Sequence, residues 1–238
     1  MSTKPPPAKK LRRSAEDGPC FSTSVITVRV GKPEQLFTIH ESLLRSSSFF
    51  FDSALKDGWK ENEQKAISLP SVIPEIFTVY VKWLYTGQFF LTRDGDDRVV
   101  KDDATGKILK RNSTEWWRWK ACYELADFIQ DSDFKDACVD VALELMKSIG
   151  YCMQMGNLIY HLSVEGSPAR KFAVDIAVCK FRVHGFEELA KKGNSEYIGD
   201  VMVALAKAKI SWENPDNPME VQDTCVLFAV QNISEFPR

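Results

Sequence analysis

Between Ile26 and Leu84 the spacing of apolar residues switches back and forth between two periods, and that alternation restricts the folds open to the chain. Ile26, Val28 and Val30 alternate with Thr27 and Arg29, and Leu36-Phe37-Thr38-Ile39 follows the turn-forming Gly31-Lys32-Pro33-Glu34. This is the pattern of strand, turn and strand. Leu43 and Leu44 come next, and Ser48 offers an N-cap to Phe49-Phe50-Phe51-Asp52-Ser53-Ala54-Leu55, a short helix closed by Gly58. Lys65 to Leu69 reads as a further strand. Pro74 then opens a helix with Ile76, Phe77, Tyr80, Val81 and Leu84 on one face, and Gly87 stops it. Segments this short cannot each bury an apolar face alone, so they must share one core. The fold class expected is α+β, a small sheet flanked by a helical cluster.

Downstream the pattern is simpler. Residues 92–115 carry Arg93, Arg98, Lys101, Lys107, Lys110 and Arg111 against Asp94, Asp96, Asp97, Asp102, Asp103 and Glu115, with little apolar content. A connection of this length is expected to be a solvated insertion loop. Asp94-Gly95-Asp96-Asp97 lacks the twelve-residue calcium-loop spacing and its terminal Glu. Helical period returns with Trp117, Ala121, Leu125, Phe128 and Ile129, and again with Phe134, Cys138, Val141 and Leu145. Asp131-Ser132 separates the two helices, and Ser132 or Asp133 is the expected cap of the second. Trp116, Trp117 and Trp119 are expected to pack into a core rather than to stack on a ligand. Met153 to Leu162, a helix opened by Ser167-Pro168, Phe186 to Leu189 and Tyr197 to Ala206 suggest a helical extension. From Trp212 a tail follows, with Pro215, Pro218 and the apolar run Cys225-Val226-Leu227-Phe228-Ala229-Val230.

Charge and cysteine usage narrow the class. Of 31 Lys and Arg, five lie in the first 13 residues, leaving 26 against 33 acidic residues in the remainder. A mildly acidic body offers no basic face to phosphates, so nucleic acid is not an expected partner of the folded part. No run reaches the roughly 18 apolar residues of a membrane helix, and the start of the chain is Pro- and Lys-rich where a signal peptide is apolar. Cys20, Cys122, Cys138, Cys152, Cys179 and Cys225 form no C-x-x-C pair and no zinc-spaced cluster, which predicts free thiols in a reducing, intracellular compartment and no metal. Residues 1–20 are expected to be a disordered basic tail. Lys9, Lys10, Arg12 and Arg13 within it match a single-cluster nuclear import signal and tilt the expected location from cytoplasm toward nucleus.

Six short blocks in a fixed order carry a family resemblance. They are Val28-Arg29-Val30-Gly31, Phe37-Thr38-Ile39-His40 with Leu43-Leu44, Ser48-Phe49-Phe50 with Leu55, Trp59-Lys60-Glu61, Ile67-Ser68-Leu69, and Phe77 with Trp83-Leu84-Tyr85-Thr86-Gly87. On these the chain resembles a BTB/POZ domain. Tyr123-Glu124-Leu125-Ala126-Asp127 fits the family's following helix, so the resemblance covers 21–148, with 149–210 as the helical extension and 211–238 as the tail. It is most similar to filamentous-fungal BTB proteins that have no recognisable second domain.

The resemblance implies a protein-binding, homodimerising module without catalysis. Some relatives act as cullin-recruiting ubiquitin-ligase adaptors and others as transcription-associated regulators. Two departures limit the transfer. The charged pocket of corepressor-type members needs an Asp near the first strand and an Arg after the His, where this chain has Ser24 or Val25 and Glu41. The apolar-x-Glu triplet of cullin recruiters is Phe77-Thr78-Val79 here, and Val79 weakens that link. Phe37, Ile39, Phe50, Leu55, Leu69, Phe77 and Leu84 are expected to be core, while Val28 and Leu44 carry the motif beside them, with Ser48 capping and Tyr85 closing the last block. Gly31 is expected in a tight turn and Gly87 at a helix end. His40, with no acid or nucleophile motif beside it, is expected to be a structural hydrogen-bonding residue and cap. No phosphate-binding, nucleophile-elbow or metalloprotease motif occurs, so no catalytic, cofactor-binding or metal residue is assigned.

Overall fold

The structure is a computed structural model that describes residues 22, 24–56, 64–93, 100–101, 108–110, 114–148 and 154–213, with backbone alone at 100–101, 108–110, 148 and 209–213. Five strands and nine helices occur among the described residues. By contacts the chain divides into two compact units, one of residues up to Phe90 together with Phe128–Phe134, the other of Leu91–Asp127 and the residues from Lys135 onward.

The first unit begins with β1 (Val25–Val30) and β2 (Gln35–His40), which pair antiparallel with Ile26 opposite Ile39 and Val28 opposite Phe37. β3 (Ala66–Leu69) joins β1 in parallel, giving the order β2-β1-β3. The strict alternation of β1 sends Ile26, Val28 and Val30 inward, where all three are fully buried. Gly31, at φ +81, makes the turn, and its α-carbon lies so close to Pro74 that an added Cβ would meet the ring at 2.7 Å. The expected tight-turn role is therefore doubly enforced, by backbone sign and by space.

Helices α1 (Glu41–Ser47) and α2 (Phe49–Ala54) are separated by Ser48, whose extended backbone breaks one helix and caps the next. Its hydroxyl accepts from the Phe51 amide at 3.2 Å and donates to the Ile129 carbonyl at 2.5 Å. Among three successive phenylalanines set 100° apart, only one can point at the core. It is Phe51; Phe50 is half-buried and Phe49 is exposed. Helix α3 (Pro74–Thr86) starts on Pro74 and ends at Gly87 in the left-handed region, as its sequence predicts. Its Phe77 and Tyr80 enter an aromatic cluster centred on Phe134, with ring centroids 5.0 Å from Tyr80, 4.9 Å from Trp83 and 5.1 Å from Phe89. Such offset and edge contacts stabilise beyond the area they bury.

The second unit opens within the stretch expected to be a structureless loop. There β4 (Val100–Lys101) and β5 (Ile108–Lys110) pair antiparallel, and helix α4 (Thr114–Phe128) begins early enough to take in Glu115, which is buried rather than solvated. Trp116 and Trp119 are core, as expected, while Trp117 is exposed on the opposite side of the turn. Trp119 stacks on Tyr123 and donates its indole N–H to the Cys138 carbonyl at 2.7 Å. Helix α5 (Ser132–Ser148) is capped by Asp131, whose carboxylate accepts from the Phe134 amide at 2.8 Å; neither Ser132 nor Asp133, the expected candidates, is the cap.

The extension consists of α6 (Met155–His161), α7 (Pro168–Lys180), α8 (Val183–Lys192) and α9 (Ser195–Glu213). Ser167 caps α7 through the Arg170 amide, as its position before Pro168 predicts. Gly156 lets α6 approach Tyr197 so closely that a Cβ there would lie 2.3 Å from the ring. Arg170 fastens this bundle by donating to the carbonyls of Ser163 and Tyr160 and to Glu196. Helix α9 runs through Trp212, past the expected end of the extension at 210. Gly58, the Trp59-Lys60-Glu61 block, Met153, the N-terminal basic cluster and the tail with Cys225 to Val230 lie outside the described residues.

Candidate interaction surface

The solvent face of the β1–β2 hairpin follows from its register. With Ile26, Val28 and Ile39 turned inward, the opposite face carries Val25 across from His40, Thr27 across from Thr38, and Arg29 across from Leu36. Two apolar side chains on it stand in water, Val25 at 48% and Leu36 at 64% exposure. β2 is also one of the two outer strands of the sheet. Arg29 is the one Lys, Arg, Asp or Glu in these three cross-strand pairs.

Helices α1 and α2 supply a second, more polar surface of the same unit. Glu41, first residue of α1, accepts from the Ser24 hydroxyl and is bridged by Arg45 and Lys65, each at 3.3 Å. Arg45 in turn reaches Asp52 at 2.9 Å. The Ser24 hydrogen bond, with the two cations, holds the Glu41 carboxyl below its ordinary value despite partial burial, and Asp52 and Glu41 raise Arg45. The i,i+4 spacing of Glu41 and Arg45 was the available signal for this network and was not read from the sequence; Asp52 and Lys65 come from outside α1 and needed the fold. Beside it, Phe49 is 64% exposed with Lys56 over its ring, and Phe50 leans on the exposed Phe128 with centroids 5.6 Å apart.

Beneath both surfaces lies the polar centre of the unit. Asp131, fully buried, accepts from the Ser47 hydroxyl, from Tyr80 at 2.9 Å and from the Phe134 amide. Burial raises its carboxyl, and the three donors oppose that rise. Burial likewise drives the Tyr80 phenol well above its ordinary value. The sequence marked Asp131 only as punctuation; an Asp three residues before a buried Phe was the available signal for its cap.

The motif residues separate into structure and surface. Val28, Leu44, Ser48, Leu55, Leu69 and Phe77 are buried, whereas Phe37, Phe50 and Leu84, expected in the core, are half-buried. His40 occupies the N-cap position of α1 but makes no side-chain cap; its Nδ1 lies 2.8 Å from the Tyr85 hydroxyl, itself on an exposed residue. Val79 is 4% exposed and Phe77 fully buried, so neither end of the 77–79 triplet reaches solvent. Among the described residues no group of three His, Cys, Asp or Glu side chains is placed to hold a metal ion, and no helix is long and apolar enough to cross a membrane. Cys122, Cys138 and Cys179 carry thiols and no disulfide.

Residues 18–109 match the family model described as the BTB/POZ domain. The match spans the three-stranded sheet, α1 to α3 and β4, and ends within β5.

Proposed function

We propose, from the BTB/POZ domain that residues 18–109 carry, that this protein is a self-associating protein–protein interaction module. Domains of this kind are generally interaction modules rather than enzymes, and typically mediate protein contacts and dimerisation. The observation that carries the reading is the solvent face of the β1–β2 hairpin, where Leu36 of the edge strand β2 and Val25 of the central strand β1 stand exposed beside Thr27 and Thr38. Apolar side chains on such a face are stabilised when a second surface removes them from water, and an edge strand such as β2 can be extended by main-chain pairing at the same time. Phe49 and Phe128 extend the apolar supply to α2. Light scattering over a micromolar concentration series tests it: the intact chain gives twice the chain mass, and Leu36→Glu shifts the population toward the chain mass. A chain that stays monomeric throughout overturns self-association.

An adaptor role toward a cullin ranks behind this reading, since the triplet that would present an acid ends in a buried valine, Val79. A cullin retained on the immobilised intact protein, alongside a BTB control, reverses that order. A nuclear, transcription-associated role rests on Lys9, Lys10, Arg12 and Arg13 alone. Loss of nuclear accumulation of a fluorescent fusion on replacing these four by alanine supports it, and unchanged distribution removes it.

A further inference from the structure

The two outer strands of the three-stranded sheet end it differently. β3 is four residues long and follows Lys65, the short and charged kind of edge that discourages further pairing. β2 is six residues long, pairs with β1 at every position without a bulge, and holds no Lys, Arg, Asp, Glu or Pro. It is an unprotected edge. The ladder also fixes which backbone groups that edge offers. Glu41 donates its amide to the Ser24 carbonyl at 2.8 Å, so by antiparallel alternation Ile26/Ile39, Val28/Phe37 and Val30/Gln35 are the hydrogen-bonded pairs of the hairpin. The other residues of β2, Leu36, Thr38 and His40, turn their amides away from β1. The Tyr85 hydroxyl accepts from the His40 amide at 3.2 Å. The amides of Leu36 and Thr38 have no acceptor among the described residues.

We propose that β2 pairs antiparallel with β2 of a second copy about a two-fold axis at Phe37, an inference that rests on the self-association proposed above and specifies its geometry. Three observations select that occupant and that register. First, the two open residues straddle Phe37. An axis there sets Leu36 opposite Thr38 of the other copy on both sides, so that every open amide donates to a carbonyl that also faces outward. An axis at Thr38 would instead set Leu36 against His40, whose amide Tyr85 already holds. Second, the strand is complementary to itself in this register. Phe37, half-buried in the lone copy, meets Phe37, Leu36 meets Thr38 and Gln35 meets Ile39, with no like charges opposed. Third, Arg29 stays in water. Packing two hairpin faces against each other would carry the exposed Arg29 into a contact whose cross-strand pairs hold no acid, a costly burial. Edge pairing leaves it on the central strand, about 14 Å from its counterpart at three strand spacings, in a continuous sheet ordered β3-β1-β2-β2-β1-β3.

Hydrogen exchange on the intact chain reads these bonds directly. The Leu36 and Thr38 amides are expected to exchange about tenfold or more slowly in the dimer than after dilution to the monomer, while those of Phe37 and Ile39, held by β1, stay slow at both concentrations. Thr38→Pro gives the second reading. It removes an amide that the β1–β2 ladder does not use, so the hairpin keeps its hydrogen bonds while the dimer loses one from each copy, and light scattering is expected to show association weakened roughly tenfold or more. Should that variant fail to fold, Leu36→Cys mixed with Thr38→Cys under mild oxidation is expected to give a disulfide between positions 36 and 38 of different copies, identified by peptide mass. A chain that is monomeric at every concentration overturns self-association and this pairing with it. A dimer whose Leu36 and Thr38 amides exchange freely, which Thr38→Pro leaves equally tight, or which yields no such disulfide overturns the edge pairing and leaves self-association standing. Protection of the two amides that persists in the monomer also overturns it, by assigning the edge to another segment of the same chain.

Discussion

The two units solve the same problem, a polar group drawn into an apolar interior, with opposite charges. In the first, the Asp131 carboxylate gathers three donors from α1, α3 and the start of α5. In the second, the Arg170 guanidinium gathers two backbone carbonyls and Glu196 while lying over the Tyr160 ring at 4.7 Å. Both fasten neighbouring elements by satisfying groups that would be costly to leave unpaired. They differ in what they can respond to. A buried carboxylate titrates within the range where proteins fold, whereas arginine side chains hold their charge throughout it. The second unit also tolerates a loose end, since the buried Tyr123 hydroxyl has no hydrogen-bond partner among the described residues. The first unit carries the tighter polar arrangement under its candidate surface.

The largest expected effect tests the first hub. Asp131→Ala removes the acceptor of two hydroxyls and the cap of α5, and is expected to cost about 3 kcal/mol, read as a lowered urea midpoint. Asp131→Asn, which keeps one acceptor oxygen, should lose less. If alanine cost no more than asparagine, the carboxylate would not be the fastening element. Next comes the close approach in the second unit. Gly156→Ala places a Cβ 2.3 Å from Tyr197 and is expected to cost roughly 2 kcal/mol, with hydrogen-exchange protection lost first in α6 and α9. Equal loss in β1–β3 would show that the units do not respond separately.

A smaller effect concerns pH. Because burial raises Asp131, its contribution to stability is full below the ordinary Asp range near about 4 and is lost as pH rises through its higher folded value. Glu41 runs the other way: Ser24's hydrogen bond lowers it, so its contribution is present above the ordinary Glu range and lost as pH falls. Urea midpoints of Asp131→Asn taken at about pH 4, 5.5 and 7 should fall less steeply with rising pH than those of the natural chain. A parallel pair of curves would assign the pH response to other groups. The smallest effect on stability is expected at the surface. Phe49→Asp should change the unfolding free energy from urea titration by no more than about 0.5 kcal/mol, being 64% exposed, while changing partner capture or self-association. A large loss of stability would return Phe49 to the core.

Much of the fold was legible in the sequence because its signals are local. The period-two run from Ile26 to Val30, the Gly31 turn, Ser48 before three phenylalanines and Pro74 with Gly87 each act within a few residues, and each appears where the pattern puts it. The helices of the extension were legible for the same reason. Less of the surface could be read. That Phe51 rather than Phe50 reaches the interior depends on where α2 sits, not on composition, and the half-burial of Phe37 and Leu84 depends on their neighbours in space. The short β4–β5 pair was hidden because strands of two and three residues are too short to show an apolar period, and their pairing is decided by backbone hydrogen bonds.

The sequence by itself determined most of the elements, β4 and β5 excepted, with their order and the kind of domain that the first of them form, since caps, turns and apolar period are properties of adjacent residues. The tertiary structure alone decided which of those residues meet. Phe134 reads as one more apolar position on a helix, yet it gathers the rings of Tyr80, Trp83 and Phe89, all more than forty residues earlier. Asp131 reads as a break between helices, yet it satisfies Ser47 and Tyr80. Ring packing and buried hydrogen bonds depend on distance in space, and a one-dimensional pattern does not encode which distant partners close those distances.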